Sequence, residues 1–244
     1  MSEVQRRKVS PVAAVTGVVG EILITLGLIL LLFIVWQVWW TDIGAHREQA
    51  AQVERVLEEW GTPQDAGTEQ KVGEARFDDP PEFAPVGHGD VMGIIRIPRF
   101  GDDYANSIVE GSDMAFLNSG AFGHYEETQL PGAVGNFALA AHRQTYGAAL
   151  RDVEELQPGD PIIVQTENAY LIYKKTDDYI VFPEEADVLY PVPRQPGVEP
   201  TQRLLTLTTC HPPFVSNQRW IVHAEFDHWV DPKDGIPAEL VKEG

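Results

Sequence analysis

The chain has 244 residues, with 18 Lys and Arg against 37 Asp and Glu, a formal net charge of -19, and a single Cys. That length allows one ordinary domain with additions or two small ones, and 43% hydrophobic residues suffice for a real core. The acidic balance argues against a nucleic-acid partner, whose phosphates need clustered Lys and Arg, and one Cys excludes an internal disulfide or a CxxC motif.

The first element is apolar. Ile22 to Trp40 reads ILITLGLILLLFIVWQVWW, without a charge and with only Thr25 and Gln37 polar. At about 1.5 Å per residue, a helix of this length crosses a hydrocarbon core of roughly 30 Å. Trp36, Trp39 and Trp40 stand at its far end, where aromatic belts favour the interface. Arg6, Arg7 and Lys8 precede it and Asp42 follows, so the positive-inside rule puts the N-terminus in the cytoplasm and the rest outside. A cleaved signal, cut near Ala45 or Ala50, competes with this reading. The run is longer than an h-region of about 7–15 residues and ends in Trp rather than small residues, so an uncleaved anchor is expected. Export follows either way.

Residues 46–60, HREQAAQVERVLEEW, are good helix formers, with Val53, Leu57 and Trp60 as a narrow apolar stripe. Gly61 and Pro63 stop this juxtamembrane helix. Residues 61–88, rich in Gly, Pro, Asp and Glu, read as a linker. The expected organisation is therefore a cytoplasmic tail and helix start (1–21), a transmembrane anchor through the lipid bilayer (22–40), an extracellular stalk helix and linker (41–88), and a folded domain (89–244).

From Gly89 on, short β-prone runs are bounded by turn residues. The expected strands are Val91–Ile97, Ser107–Val109, Asn136–Ala141, Pro161–Gln165, Tyr170–Lys175, Tyr179–Phe182, Leu204–Thr209 and Trp220–Phe226. A turn at Glu167-Asn168 suggests a hairpin. Helices are expected only at Asp113–Leu117 and Tyr146–Leu156. Closely spaced short strands favour a sandwich or closed barrel. The irregular segment from Phe182 to Gln202, with Pro183, Pro191, Pro193, Pro196 and Pro200, is long for an incidental loop.

Cys210 ends the run LLTLTTC and precedes His211-Pro212, which places it at a strand end. A small buried hydrophobe and a reactive thiol both suit a lone Cys, and the exported compartment makes the thiol worth weighing. A thiol nucleophile needs a base and something to hold an oxyanion. Among seven His, His142 also ends an apolar run, NFALAA, whereas His46 and His88 lie outside the domain and His223 falls within a strand. Arg219 opens the last strand, where two antiparallel neighbours could bring a guanidinium beside the thiol.

Together these residues resemble the sortase family. Thr206-Leu207-Thr208-Thr209-Cys210 matches its TLxTC signature, Gly135 to Arg143 resembles the strand that carries its catalytic His, and Arg219 stands where its essential Arg opens the final strand. The likeness covers roughly residues 89–230. His211-Pro212 after the Cys and Gly123-His124-Tyr125 before the His look most like class E sortases of actinobacteria, with class D the nearest alternative. The resemblance implies a mainly β fold, an eight-stranded closed sortase-type β-barrel with short helices. It also implies a Cys transpeptidase that needs no cofactor and no metal. Its substrates would be secreted proteins with a C-terminal LAxTG or LPxTG sorting signal, cleaved between Thr and Gly. The acceptor would be a peptidoglycan precursor amine or a pilin Lys. By the same resemblance Cys210, His142 and Arg219 are catalytic, Thr208 and Thr209 line the pocket, and Tyr125 favours Ala at the second signal position.

Rival readings remain open from the residues alone. His142, Cys210 and His211 have metal-ligand chemistry without a recognised spacing. Asp102, Asp103 and Glu110 could draw Ca2+ or be a solvated face. A membrane-tethered adhesion module suits barrel and anchor, but leaves Cys, His and Arg without a joint explanation.

Overall fold

The computed structural model describes residues 11–61 and 71–241, and the side chains of residues 11–14, 35 and 37–43 lie outside that description. The basic residues at 6–8, the belt at Trp39 and Trp40, Asp42 and Pro63 therefore fall beyond it. The chain divides into two compact units, residues 1–41 and 42–244.

One helix, α1 (Pro11–Glu59), replaces the two expected ones. Residues 41–45 contain no proline, and the lone Gly44 is tolerated inside a helix. Within it, Val15–Ile34 has a mean hydropathy of 2.6 and no buried residue, as suits a membrane span. In the second unit the helix buries Ala45, Gln49, Val53 and Val56, at spacings of four and three. That stripe shares only Val53 with the expected one; Leu57 and Trp60 are partly buried beside it.

Eight strands follow: β1 (Val91–Arg96), β2 (Asn106–Glu110), β3 (Phe122–His124), β4 (Gly135–Ala140), β5 (Pro161–Gln165), β6 (Tyr170–Val181), β7 (Arg203–His211) and β8 (Gln218–Val230). They close into a barrel in the order β1-β2-β3-β4-β7-β8-β6-β5. The pairs β2–β3 and β4–β7 are parallel and the others antiparallel. Phe122, Phe137, Leu139, Leu205, Leu207, Tyr173 and Val222 fill the interior with almost no exposure.

The expected barrel is there, but its strands are counted differently. Tyr170–Lys175 and Tyr179–Phe182 are one strand, β6, because the polar run Thr176-Asp177-Asp178 is a register shift opposite β8 and not a turn. Buried Lys175 sits at that shift, its Nζ donating to Leu156 O at 2.6 Å and to Asp178. Strand β3 was not expected, since three residues carry no legible alternation. The hairpin turn is as expected, closed by Thr166 N donating to Ala169 O at 2.8 Å. Asp113–Leu117 is one turn, α2 (Met114–Leu117), with Asp113 at its N-cap. Tyr146–Leu156 is not helical. Thr145, Tyr146, Gly147 and Ala148 have φ of 63°, 49°, 82° and 41°, which no right-handed helix admits, and only Val153–Glu155 makes a 3-10 turn.

Residues 71–88 are docked on the barrel, contrary to the linker reading. Arg76 and Trp229 exchange backbone hydrogen bonds of 2.8 and 2.9 Å, and Gly73 N donates to Ile236 O at 2.9 Å. Trp229 Nε1 donates to Asp78 and Arg203 Nη2 to Asp79. A composition rich in Pro and Gly does not reveal where backbone donors find partners. The long 182–202 segment is also held: buried Asn136 donates to Val188 O at 3.2 Å and Tyr190 O at 3.1 Å.

Candidate active site

Side chains alternate across a strand, and core membership fixes the face. On β7 Leu205 and Leu207 point into the barrel, so Thr206, Thr208 and Cys210 point outward. On β4 Phe137, Leu139 and then Ala141 point inward, so His142 follows on the outer face. On β8 Val222 and Ala224 point inward, which turns Arg219 outward. The strands lie side by side as β4-β7-β8.

The register aligns the three residues. Cys210 pairs directly with Arg219. Ala140 pairs with Thr208, and Ala141 N still donates to Thr208 O at 3.2 Å. Carrying that parallel register on by two residues brings His142 abreast of Cys210. Neighbouring strands are about 4.8 Å apart, so on this continuation the imidazole, thiol and guanidinium share one band across the outer face. Cys210 is half-buried and has no disulfide partner.

His142 Nε2 is 2.8 Å from Asn118 Oδ1. An amide oxygen only accepts, so Nε2 carries the proton and Nδ1 is the basic nitrogen. Burial holds this imidazole below its ordinary pKa, because desolvation disfavours the charged form. Tyr146 lies over it, with ring centroids 5.7 Å apart. Arg219 Nη1 donates to Ser216 O at 3.0 Å and to Gln218 O at 2.8 Å, which steadies the guanidinium against its own loop.

Tyr125 shares a 2.9 Å hydrogen bond with Thr208 Oγ1, two residues before Cys210 on the same face. Burial raises its pKa, with Thr208 and Arg219 opposing the rise and Glu127 adding to it, so the hydroxyl stays protonated. β3 delivers Tyr125. At Gly123 a Cβ would stand 2.7 Å from Gly111 O, so glycine alone allows this approach. Beneath, His124 Nδ1 meets both oxygens of Glu110 at 3.1 and 3.0 Å. Thr209 departs from the others: it faces inward and donates to Ala141 O at 2.7 Å, tying β7 to β4.

The other sequence candidates find different partners. His223 lies between Thr206 Oγ1 at 2.9 Å and Tyr179 OH at 2.7 Å, and burial lowers its pKa. His211 Nδ1 faces Arg143, not a metal set. Glu110 turns to His124 and away from any cation group with Asp102 and Asp103. Among the described residues, no group of three His, Cys, Asp or Glu could hold a metal ion. Sequence reasoning missed Asn118, whose contact with His142 spans 24 residues and leaves no local signal.

Comparison with known proteins points one way. A family model described as the sortase domain matches residues 95–227, more than half of the chain. Sortase SrtE1 of Streptomyces coelicolor is 35% identical over 97% of this chain, which spans 65% of that relative's length. Sortase SrtE2 of the same organism is 33% identical, over 90% of this chain and 85% of its own. Among solved structures, the SrtA sortase of Actinomyces oris superimposes with a TM-score of 0.66 at 42% identity, covering 70% of this chain and 98% of that one.

Proposed function

The chain belongs to the sortase family, and we propose that it is a membrane-anchored Cys transpeptidase of the class E kind. The observation that supports this reading is the register across β4, β7 and β8: Cys210 pairs with Arg219, and the β4–β7 pairing, which ends at Ala140 and Thr208, leads on toward His142 and Cys210.

In the proposed reaction a sorting signal of LAxTG or LPxTG type lies along that outer face. The Cys210 thiolate attacks the Thr carbonyl carbon, and a tetrahedral oxyanion forms. The Arg219 guanidinium holds that oxyanion or the neighbouring substrate carbonyls. The C–N bond to Gly then breaks, a thioester forms on Cys210, and the protonated His142 gives its proton to the departing Gly amine. An incoming amine, from a peptidoglycan precursor or a pilin Lys, loses a proton to His142 and attacks the thioester. The new amide releases Cys210. The base nitrogen in both steps is Nδ1, because Nε2–H is held by Asn118. Thr208 and Tyr125 form the wall beside the thiol, and their shared hydrogen bond narrows the space for the second signal residue, which favours Ala over Pro. Thr209 acts from below by holding β7 to β4.

The test uses the full-length chain in detergent micelles with LAETG and LPETG peptides and a Gly-based amine, read by mass spectrometry. Wild type is expected to give a product joined through Thr to the amine, with the Ala peptide favoured. Cys210→Ala and His142→Ala are expected to give none. A folded wild type without product or thioester adduct, and with Cys210 inert to alkylation, overturns the enzyme reading in favour of a tethered binding module.

A further inference from the structure

Each residue of the outer-face trio is followed in the chain by one that turns the other way: Arg143 after His142 just beyond β4, His211 after Cys210 on β7, and Trp220 after Arg219 on β8. These three meet one another. Arg143 Nη1 donates to His211 Nδ1 at 2.6 Å. The Arg143 guanidinium carbon lies 5.2 Å from the centre of the Trp220 ring system. The His211 and Trp220 rings are 5.3 Å apart. Arg143 is 4% exposed, and its Nη2 also pairs with Glu154.

A buried guanidinium needs its partners, because an unpaired charge out of water is expensive. Arg143 meets that need in part, with an imidazole, a carboxylate and an aromatic face, while its buried Nε finds no hydrogen-bond partner. Its fork is rigid, so holding Glu154 with one nitrogen fixes where the other presents its proton to His211. A guanidinium has no lone pair to offer, so His211 accepts through Nδ1. The position of each inner residue is thereby fixed relative to the other two. Since each is one peptide from a member of the outer triad, the strand ends carrying thiol, base and guanidinium are fixed as well.

We propose that Arg143, His211 and Trp220 form a positioning clamp on the inner side of the sheet. It sets the relative placement of His142, Cys210 and Arg219 on the outer side. The proposal rests on the transpeptidase reading above and names three positioning residues for that site. None of them touches the reacting atoms. The clamp acts through geometry, so loosening it lowers turnover and leaves peptide affinity alone, since misplacing a reacting group by about 1 Å can cost about 100-fold.

The test compares Arg143→Met, His211→Phe, the double variant and His211→Asn in the full-length chain in detergent. Asn offers an acceptor near the place of Nδ1. At a temperature well below every melting transition, kcat of each single variant is expected to fall at least tenfold, with KM within twofold of wild type. The double variant is expected to be no worse than either single one, and His211→Asn to recover to within threefold of wild type. Full activity in folded Arg143→Met, or losses that multiply in the double variant, overturns the clamp. A second measurement needs no substrate: the rate at which iodoacetamide alkylates Cys210, expected to fall at least threefold in Arg143→Met. An unchanged rate overturns the clamp whether or not peptide turns over. A wild type that alkylates but never turns over, beside the expected slower Arg143→Met, sinks the transpeptidase reading and leaves the clamp standing.

Discussion

The imidazole of His142 is caught between two influences on its charge. Burial favours the neutral form and lowers its pKa. The Asn118 oxygen accepts the Nε2 proton and stabilises imidazolium as well as the tautomer with a basic Nδ1. Removing that oxygen leaves desolvation unopposed. Asn118→Ala is therefore expected to move the acid limb of the kcat/KM profile to lower pH, since less of the protonated form survives at any given pH. A hydrogen bond to a charged group contributes about 1.5 kcal/mol at the low end, so kcat is expected to fall about tenfold. Asn118 caps the short helix α2 through its backbone and not its side chain, so the melting temperature is expected to stay within about 2 °C. Steady-state kinetics between pH 5 and 9, with a melt on the same protein, check all three. An acid limb that moves upward would show that the amide is turned, with its NH2 facing the ring.

At the scale of elements, the second half of α1 docks through one polar side chain. Gln49 is 2% exposed; its Oε1 accepts from Ser107 N at 2.9 Å and Ser107 Oγ at 2.8 Å, and its Nε2 donates to Ser119 O at 3.0 Å. Ser107 lies on β2 and Ser119 just beyond α2, so one amide joins the helix to two parts of the barrel. Gln49→Ala leaves the buried Ser107 N–H without an acceptor, a cost of about 2 kcal/mol. In a unit of this size that lowers the melting temperature by about 4–8 °C. Hydrogen exchange across residues 44–59 is expected to lose its protection first; an unchanged pattern there would mean that Val53 and Val56 suffice to hold the helix. This contact also marks a limit of the sequence. Helix length and composition were readable, but an apolar stripe through Leu57 and Trp60 ignores a buried Gln, which looks polar until its three partners are known. Strand β3 and the continuity of β6 were hidden for a related reason. Three residues show no period, and a polar triplet reads as a turn unless a long β8 lies opposite it. The loop at 145–148 hides its left-handed backbone because only Gly147 among its residues announces one.

For the whole molecule, the residues proposed to carry the chemistry were the most legible. Cys210, His142 and Arg219 each end or begin an apolar run, and a run's end is visible without tertiary knowledge. Their proposed supports, Asn118 and the Arg143–His211 pair, depend on contacts 24 and 68 residues apart and could not be read. Topology is a separate matter, and the proposed orientation rests on charge. Val15–Ile34 has the length and hydropathy to cross a bilayer. Arg6, Arg7 and Lys8 stand before it, and orientation follows Lys and Arg near a span, with Asp and Glu contributing little. The acidic surplus of the barrel unit therefore does not oppose export. In right-side-out vesicles, added protease is expected to digest residues 42–244 and to spare a tag at the N-terminus. In inverted vesicles the pattern should reverse. Replacing Arg6, Arg7 and Lys8 by Gln is expected to produce a mixed population, because Arg47 and Arg55 then become the nearest cations to the span. An N-terminal tag that separates from the barrel in untreated cells would instead mean that the span is removed after export, and that the enzyme acts free of the membrane.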